Sequence, residues 1–259
     1  MPYADVNGIR LYYETEGNGP PVVLITGLGG DTGFWRKASG ILSSKHTVIK
    51  IDNRGAGRTS YSGLFSLDDA ADDVLCLIDH LGLGKVSILG WSMGSHIAMK
   101  AALKAPERMT ALILVSSYRY RPARSKYILS SMIGAAEGGM PAEYLARVLN
   151  CMCYTEEFFR NKELKGETVR SSDLGDPAGL RHQIDAVELS DMTEAAGNIS
   201  VPTLLIHGSK DIMAECGEGL ALADTIKGCE TVIIEGAGHL IPAESYIFRV
   251  MEFIEGRPA

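Results

Sequence analysis

Short segments that are apolar at nearly every position recur along this chain, and helical patterns separate them. A strand that is apolar on both faces is buried on both, which is typical of a parallel sheet with helices on each side. The sequence therefore predicts an α/β fold with a mostly parallel central sheet and right-handed crossovers. The segments fall at 22–25, 47–51, 86–89, 109–115, 203–206 and 231–234.

The alternation of strands and helices is interrupted once. Only helical patterns occur between about 118 and 190, where Pro141 and the pair Asp176-Pro177 are typical helix starts. With an N-terminal hairpin around Asn7-Gly8, the strand before this interruption is the sixth. We interpret 118–190 as a helical lid (cap) inserted after the sixth strand, and 1–117 together with 191–259 as the core.

Ser92 lies in the sequence Gly-Trp-Ser-Met-Gly, between a predicted strand and a predicted helix. A serine at so sharp a turn takes up a strained backbone conformation, and side chains two residues away would collide with the crossing chain. Gly90 and Gly94 remove that collision. This context predicts that the Ser92 hydroxyl is lifted off the sheet as a nucleophile.

To act as a nucleophile, a serine hydroxyl needs a base that takes its proton. That base in turn needs a hydrogen-bond acceptor that orients it. His239 and Asp211 each follow a predicted strand, so they are expected at the same sheet edge as Ser92. His207 ends a strand and competes with His239 as base, whereas His96 is interpreted as a packing residue. Asp52 is interpreted as structural, fixing a glycine loop with Arg54 or Arg58 as partner.

Attack on an ester develops an oxyanion that requires two amide donors. The residue after the nucleophile, Met93, supplies one. Leu28, in the glycine-rich loop after the strand at 22–25, supplies the other. This loop lacks the spacing of a phosphate-binding loop.

Several motifs together resemble the α/β-hydrolase superfamily over essentially the whole chain. The resemblance implies the same roles for Ser92, Asp211, His239, Leu28 and Met93. The lid sequence at 176–187 looks like that of 3-oxoadipate enol-lactonases and small carboxylesterases. The resemblance rests on the segments 27–29, 52–60, 90–94, 206–211 and 238–239.

Large apolar side chains near the motifs and in the lid predict an apolar substrate pocket. A basic cluster at the start of the lid could steer a carboxylate-bearing substrate, but a solvated surface is the favoured interpretation. The pocket candidates are Trp91, Phe34, Trp35, Met132 and Tyr144, and the basic cluster is Arg119, Arg121, Arg124 and Lys126.

The formal charge of −7 argues against nucleic acid or an anionic membrane as partner. Neither a signal sequence nor a stretch of about 20 apolar residues is evident. Five scattered cysteines do not form a disulfide framework, so we expect a cytoplasmic protein without cofactor or metal. A homodimer is left open. The acidic run at 68–73 is interpreted as the solvated face of a helix that begins near Ser66.

These features predict a serine hydrolase that cleaves small carboxylic esters or lactones through an acyl-enzyme. A serine nucleophile argues against dehalogenases and epoxide hydrolases, which use a carboxylate. Three alternatives stay open: a carbon–carbon bond hydrolase acting on vinylogous diketones, a perhydrolase or haloperoxidase-like enzyme, and a small-molecule receptor that retains the triad.

Overall fold

The computed structural model describes residues 2–160, 169 and 176–256 of the chain. Within them, eight strands form one sheet in the order β1-β2-β4-β3-β5-β6-β7-β8. The strands are β1 (Tyr3–Val6), β2 (Ile9–Glu16), β3 (Pro21–Ile25), β4 (Thr47–Ile51), β5 (Val86–Trp91), β6 (Met109–Val115), β7 (Thr203–Gly208) and β8 (Glu230–Ile234).

The sheet is parallel from β3 to β8, and β1 and β2 run antiparallel to their neighbours. The chain turns from β1 into β2 at Asn7 and Gly8, which both have positive φ, as the predicted hairpin requires. The predicted mostly parallel sheet is confirmed. Because β5 to β8 run in one direction, the loops that follow them meet at one edge.

Helices cover both faces of the sheet, as predicted. One apolar core lies beneath α2, α3 and α8, and a second lies beneath α1 and α9. No described helix is both long enough and apolar enough to span a bilayer. The helices are α1 (Arg36–Leu42), α2 (Leu67–His80), α3 (Met93–Lys104), α4 (Ala123–Glu137), α5 (Ala142–Cys153), α6 (Glu156–Arg160), α7 (Pro177–Glu188), α8 (Cys216–Thr225) and α9 (Ile247–Glu255).

Helix α2 begins as predicted but differs from the prediction at one aspartate. Ser66 and Asp69 form a reciprocal capping box at its N-terminus. Asp73, however, is only 2% exposed, so its placement on a solvated face was wrong. Its carboxylate holds Arg54 through two hydrogen bonds of 2.5 and 2.7 Å and accepts a third from Asn7. Asp73 thus fastens the loop after β4 to α2.

Helices α4 to α7 lie between β6 and β7, in the segment interpreted as a lid. Tyr120 and Asp191 form an antiparallel bridge, so the two ends of this segment meet. Leu129, Ile133 and Ile184 form a third apolar cluster with Met213 and Leu240, which follow β7 and β8. These helices therefore pack over the edge of the sheet that carries the functional loops. Their assignment as a separate lid stays a prediction.

Candidate active site

Ser92 occupies the turn between β5 and α3 with φ 53° and ψ −117°. This backbone conformation costs a residue other than glycine about 1–3 kcal/mol. The flanking glycines permit the turn. A Cβ on Gly90 would lie 2.3 Å from the carbonyl oxygen of Gly94, and a Cβ on Gly94 would lie 2.2 Å from that of Ile25. The strain presents the Ser92 side chain at the wall of a cavity.

The structure brings the three predicted side chains into one hydrogen-bonded series. His239 Nε2 lies 2.9 Å from Ser92 Oγ, and His239 Nδ1 lies 2.7 Å from Asp211 Oδ2. A carboxylate can only accept, so Nδ1 of His239 carries the proton and Nε2 accepts the Ser92 hydroxyl. This is the arrangement that allows an imidazole to take a proton from serine.

The surroundings of Asp211 keep its carboxylate ionised. Oδ1 accepts hydrogen bonds from the backbone amides of Met213 and Ala214 at 2.8 and 2.9 Å. Burial by itself raises the pKa of Asp211, but the imidazoles of His239 and His207 outweigh it and hold the pKa well below its ordinary value. The charge is therefore present to stabilise an imidazolium at His239.

The other two histidines considered as bases do not hydrogen-bond to Ser92. His207 is fully buried and its Nε2 donates to the carbonyl oxygen of Ala214 at 2.7 Å. His96 bonds to Ser190 and to the backbone of Tyr118, and burial lowers its pKa to about 3. The packing role predicted for His96 is confirmed. Among the described residues, no cluster of three or more His, Cys, Asp or Glu side chains could hold a metal ion.

Met93 follows the nucleophile directly, and the loop that carries Leu28 lies against it. Met93 is the first residue of α3, where backbone amides have no acceptor within the helix. The loop that carries Leu28 lies against Ser92, since a Cβ on Gly27 would be 3.2 Å from the Ser92 Cβ. Thr26 closes this loop by donating to the carbonyl oxygen of Gly30 at 2.9 Å. The roles of Leu28 and Met93 stay predictions.

Asp52 has the structural role predicted for it. Its buried carboxylate accepts from the amides of Thr32 and Arg58 at 2.7 and 2.8 Å, and from Arg58 Nε at 3.0 Å. A Cβ on Gly57 would lie 2.2 Å from Asp52 Oδ2, so the loop closes only around a glycine. Of the two partners considered, Arg58 is the one that pairs.

Gln183, in α7, was not singled out by the sequence. Its side chain is fully buried, accepts from the Gly29 amide at 2.8 Å, and donates to the Arg54 carbonyl oxygen at 2.6 Å. Gly29 follows Leu28, so Gln183 ties α7 directly to the predicted oxyanion loop. A glutamine among helical lid residues carries no local signal for such a contact.

Replacing Gln183 with alanine is expected to leave one buried and one partly buried backbone group unsatisfied, which costs about 2–4 kcal/mol in the free energy of unfolding. Urea denaturation measures that loss. The loosened loop is also expected to lower kcat about 10-fold or more. Glu188→Ala, at an exposed position of the same helix, is the control. Wild-type stability and kcat in Gln183→Ala would contradict this role.

A cavity of about 430 Å³ lies above Ser92 and His239. Trp91, Phe34 and Met132 line it as predicted, with Phe34 stacked on Trp91 at 4.6 Å between ring centroids. Trp35 borders the cavity but is 1% exposed and belongs to the core beneath α1. The prediction that Tyr144 lines the cavity was wrong. Its side chain is 54% exposed and lies outside the lining, because α5 turns Leu145 inward instead.

The basic cluster divides into solvated and buried members, which corrects its interpretation as a wholly solvated surface. Arg119 pairs with Glu218, Arg124 pairs with Glu215, and Lys126 is exposed. Arg121 is 3% exposed and lines the cavity. Its position in the sequence could have distinguished Arg121 from the solvated members of the cluster. Arg121 follows the end of β6, at the edge of the sheet where the functional loops meet.

Comparisons with known proteins agree on one fold. The family model of the alpha/beta hydrolase fold matches residues 20–145. A protein of Azorhizobium caulinodans named "Putative carbamate hydrolase RutD" is 28% identical, over 94% of this chain and 93% of its own. The pimeloyl-[acyl-carrier protein] methyl ester esterase of Nitrosomonas europaea is 27% identical, over 88% and 92%. The crystal structure of an enol-lactonase from Burkholderia xenovorans superposes with a TM-score of 0.88 and 25% identity, over 98% and 100%.

Proposed function

Since this chain is a hydrolase of the α/β-hydrolase superfamily, we propose that it cleaves small carboxylic esters or lactones. Ser92, His239 and Asp211 are its catalytic triad in this proposal. The observation that carries it is the unbroken series of hydrogen bonds from Asp211 through His239 to Ser92, at the wall of a mainly apolar cavity.

The proposed reaction has two halves, acylation and deacylation of Ser92, and the same groups act in both. Ser92 Oγ attacks the carbonyl carbon while His239 Nε2 takes the hydroxyl proton, and the amides of Leu28 and Met93 hold the oxyanion. The tetrahedral intermediate collapses, and His239 returns the proton to the leaving alcohol. A water then attacks the acyl-enzyme by the same route and releases the acid. Asp211 holds His239 in the required tautomer throughout.

The choice of ester or lactone bonds is supported by the site and by two relatives. A serine nucleophile forms an acyl-enzyme with carbonyl substrates. A similar chain from Nitrosomonas europaea is named as a methyl ester esterase, and a similar structure from Burkholderia xenovorans is an enol-lactonase. Carbamates belong in the same screen because another similar protein is named as a putative hydrolase of them.

A fluorophosphonate probe and a substrate screen test this function together. We expect one probe molecule on Ser92 by intact-protein mass spectrometry and steady turnover of small p-nitrophenyl esters or lactones. Labelling without turnover would favour the receptor alternative. Turnover of a vinylogous diketone without ester hydrolysis would favour carbon–carbon cleavage, and peracid formation that outpaces hydrolysis would favour a perhydrolase.

A further inference from the structure

Ser116, the residue that directly follows β6, has a strained backbone. Its φ is 51°, and the other described residues with positive φ, apart from glycines, are Asn7 and Ser92. This conformation is unfavourable for a residue other than glycine, and such strain clusters where function requires it. Asn7 lies in a hairpin turn, and Ser92 is the proposed nucleophile. Ser116 is fully buried and is not among the described residues that line the cavity, so contact with a substrate does not explain its strain.

The side chain of Ser116 contacts the backbone of the proposed base. Its hydroxyl donates to the carbonyl oxygen of His239 at 2.8 Å. Trp91, the last residue of β5, donates from Nε1 to the same oxygen at 3.1 Å. A carbonyl oxygen accepts through two lone pairs, so these two donors satisfy it completely. The backbone of His239 is thereby held by the ends of two neighbouring strands.

The residues on either side of this serine hold the nucleophile. The carbonyl oxygen of Val115 accepts from the Ser92 amide at 2.9 Å. On the other side, Ser117 Oγ lies 2.7 Å from Ser95 Oγ, and the Ser95 hydroxyl donates to the Ser92 carbonyl oxygen at 2.5 Å. Three consecutive residues at the end of β6 therefore connect to both the proposed nucleophile and the proposed base, which are 147 positions apart in the sequence.

These contacts also explain how the strain at Ser116 persists. Its amide donates to the carbonyl oxygen of Ile206, in β7, at 2.9 Å. The peptide groups before and after Ser116 are therefore both held, the first by β7 and the second through Ser117. Because φ sets the direction of the side chain relative to a fixed amide, an ordinary negative φ would turn the hydroxyl away from His239. The strain is thus coupled to the hydrogen bond that reaches the base.

We propose that Ser116 is a positioning residue for His239: its hydroxyl fixes the backbone of the base, and with it the distances from the imidazole to Ser92 and Asp211. This inference rests on the proposed function and adds to it a residue that does not touch the substrate. The imidazole makes hydrogen bonds of 2.9 Å to Ser92 Oγ and 2.7 Å to Asp211 Oδ2. A displacement of about 1 Å is enough to break them, and misplacement of that size costs about 100-fold in rate.

Two substitutions separate the hydroxyl from the strain. Ser116→Ala removes the hydroxyl and keeps a side chain in the left-handed conformation, whereas Ser116→Gly removes the hydroxyl and relieves the strain. We expect both variants to lose about 10–100-fold in kcat for p-nitrophenyl acetate, with KM within about twofold of the wild type. Ser116→Gly is expected to unfold at the same temperature as Ser116→Ala or at a higher one. Activity is therefore expected to follow the hydroxyl and not the stability.

Ser87→Ala is the matched control. Ser87 lies near the start of β5, at the opposite end of that strand from Trp91, and is 1% exposed. Its hydroxyl bonds to Thr110 Oγ1 at 2.8 Å. The substitution therefore removes an equally buried serine hydroxyl and its hydrogen bond from the same sheet, but away from the site. We expect a loss of Tm similar to that of Ser116→Ala, with the kcat of the wild type.

The proton between His239 Nδ1 and Asp211 gives a spectroscopic test that does not depend on turnover. Isotope-labelled histidine identifies its resonance by NMR. We expect the wild-type protein and Ser87→Ala to share this resonance. In Ser116→Ala and Ser116→Gly it is expected to move upfield and to broaden through faster exchange with water, because the imidazole moves away from the carboxylate. A serine that contributed only to stability would leave the resonance unchanged.

The results distinguish this inference from the function on which it rests. A wild-type protein that neither labels with fluorophosphonate nor hydrolyses any ester contradicts the proposed function, and the His239 resonance still tests the role of Ser116. Ester hydrolysis with both Ser116 variants within about threefold of the wild-type kcat overturns the inference and leaves the function standing. A loss of kcat with the wild-type resonance, or a loss that Ser116→Gly restores, overturns it as well. If Ser116→Ala fails to fold, Ser116→Gly decides the same question.

Discussion

Ser92→Ala is expected to lower kcat for p-nitrophenyl ester hydrolysis by about 10⁴–10⁶-fold. In the proposed mechanism the acyl group is transferred to the Ser92 oxygen, and His239 Nε2 lies 2.9 Å from that atom. Alanine at this turn removes the oxygen and leaves Gly90, Gly94 and the strained backbone as they are. The proposed oxyanion donors and the cavity remain in this variant, so we expect a small residual rate.

The matched control for this substitution is Ser130→Ala. Ser130 is exposed in α4, and its hydroxyl bonds only locally, to the Tyr127 carbonyl oxygen. Both variants are expected to unfold near the wild-type temperature, and only Ser92→Ala is expected to lose fluorophosphonate labelling. A Ser92→Ala protein that folds and retains more than about a tenth of the wild-type kcat would refute the nucleophile assignment.

Asp211→Asn is expected to lower kcat by about 10⁴-fold with little change in the site's geometry. Two backbone amides, from Met213 and Ala214, already donate to Oδ1, so the asparagine carbonyl is expected to take that place. Its NH₂ group then faces His239 Nδ1, which can no longer donate. His239 is forced into the tautomer with the proton on Nε2 and cannot accept the Ser92 proton.

Asp185→Asn, at an exposed position of α7, is the control for Asp211→Asn. The imidazole proton resonances of His239 report the tautomer directly by NMR, and kcat reports its consequence. Loss of kcat with the wild-type tautomer would show that Asp211 acts through fold stability instead. A wild-type kcat would show that Asp211 does not belong to the proposed triad and that His239 activates Ser92 without it.

Much of the candidate site follows from local sequence because the chemistry lies at strand ends. The strands at 22–25, 86–89 and 203–206 are recognisable since each is apolar on both faces. In a parallel sheet, the residues that follow such strands meet at one edge, whatever their separation in sequence. That rule placed Ser92, Asp211 and His239 together at one edge of the sheet.

The sequence was least informative where burial decides the role of a polar residue. Asp73 and Arg121 were each expected on solvated surfaces with their charged neighbours, and both are buried. Gln183 contacts Gly29, 154 positions away, and no spacing rule connects them. Tyr144 was predicted to line the cavity, but the neighbouring residue on α5 does so instead. A helical pattern shows that a helix is present more reliably than it shows which of its side chains face inward.

The sequence by itself determined the sheet, the strained turn at Ser92 and the strand ends that carry Asp211 and His239. Those features depend on backbone sterics and on apolar periodicity, which act over a few residues. Only the tertiary structure decided which polar side chains leave solvent. The packing of α4 to α7 over the sheet edge encloses Arg121 and Gln183, and the cost of burying a charge or an amide depends on partners that distant segments supply.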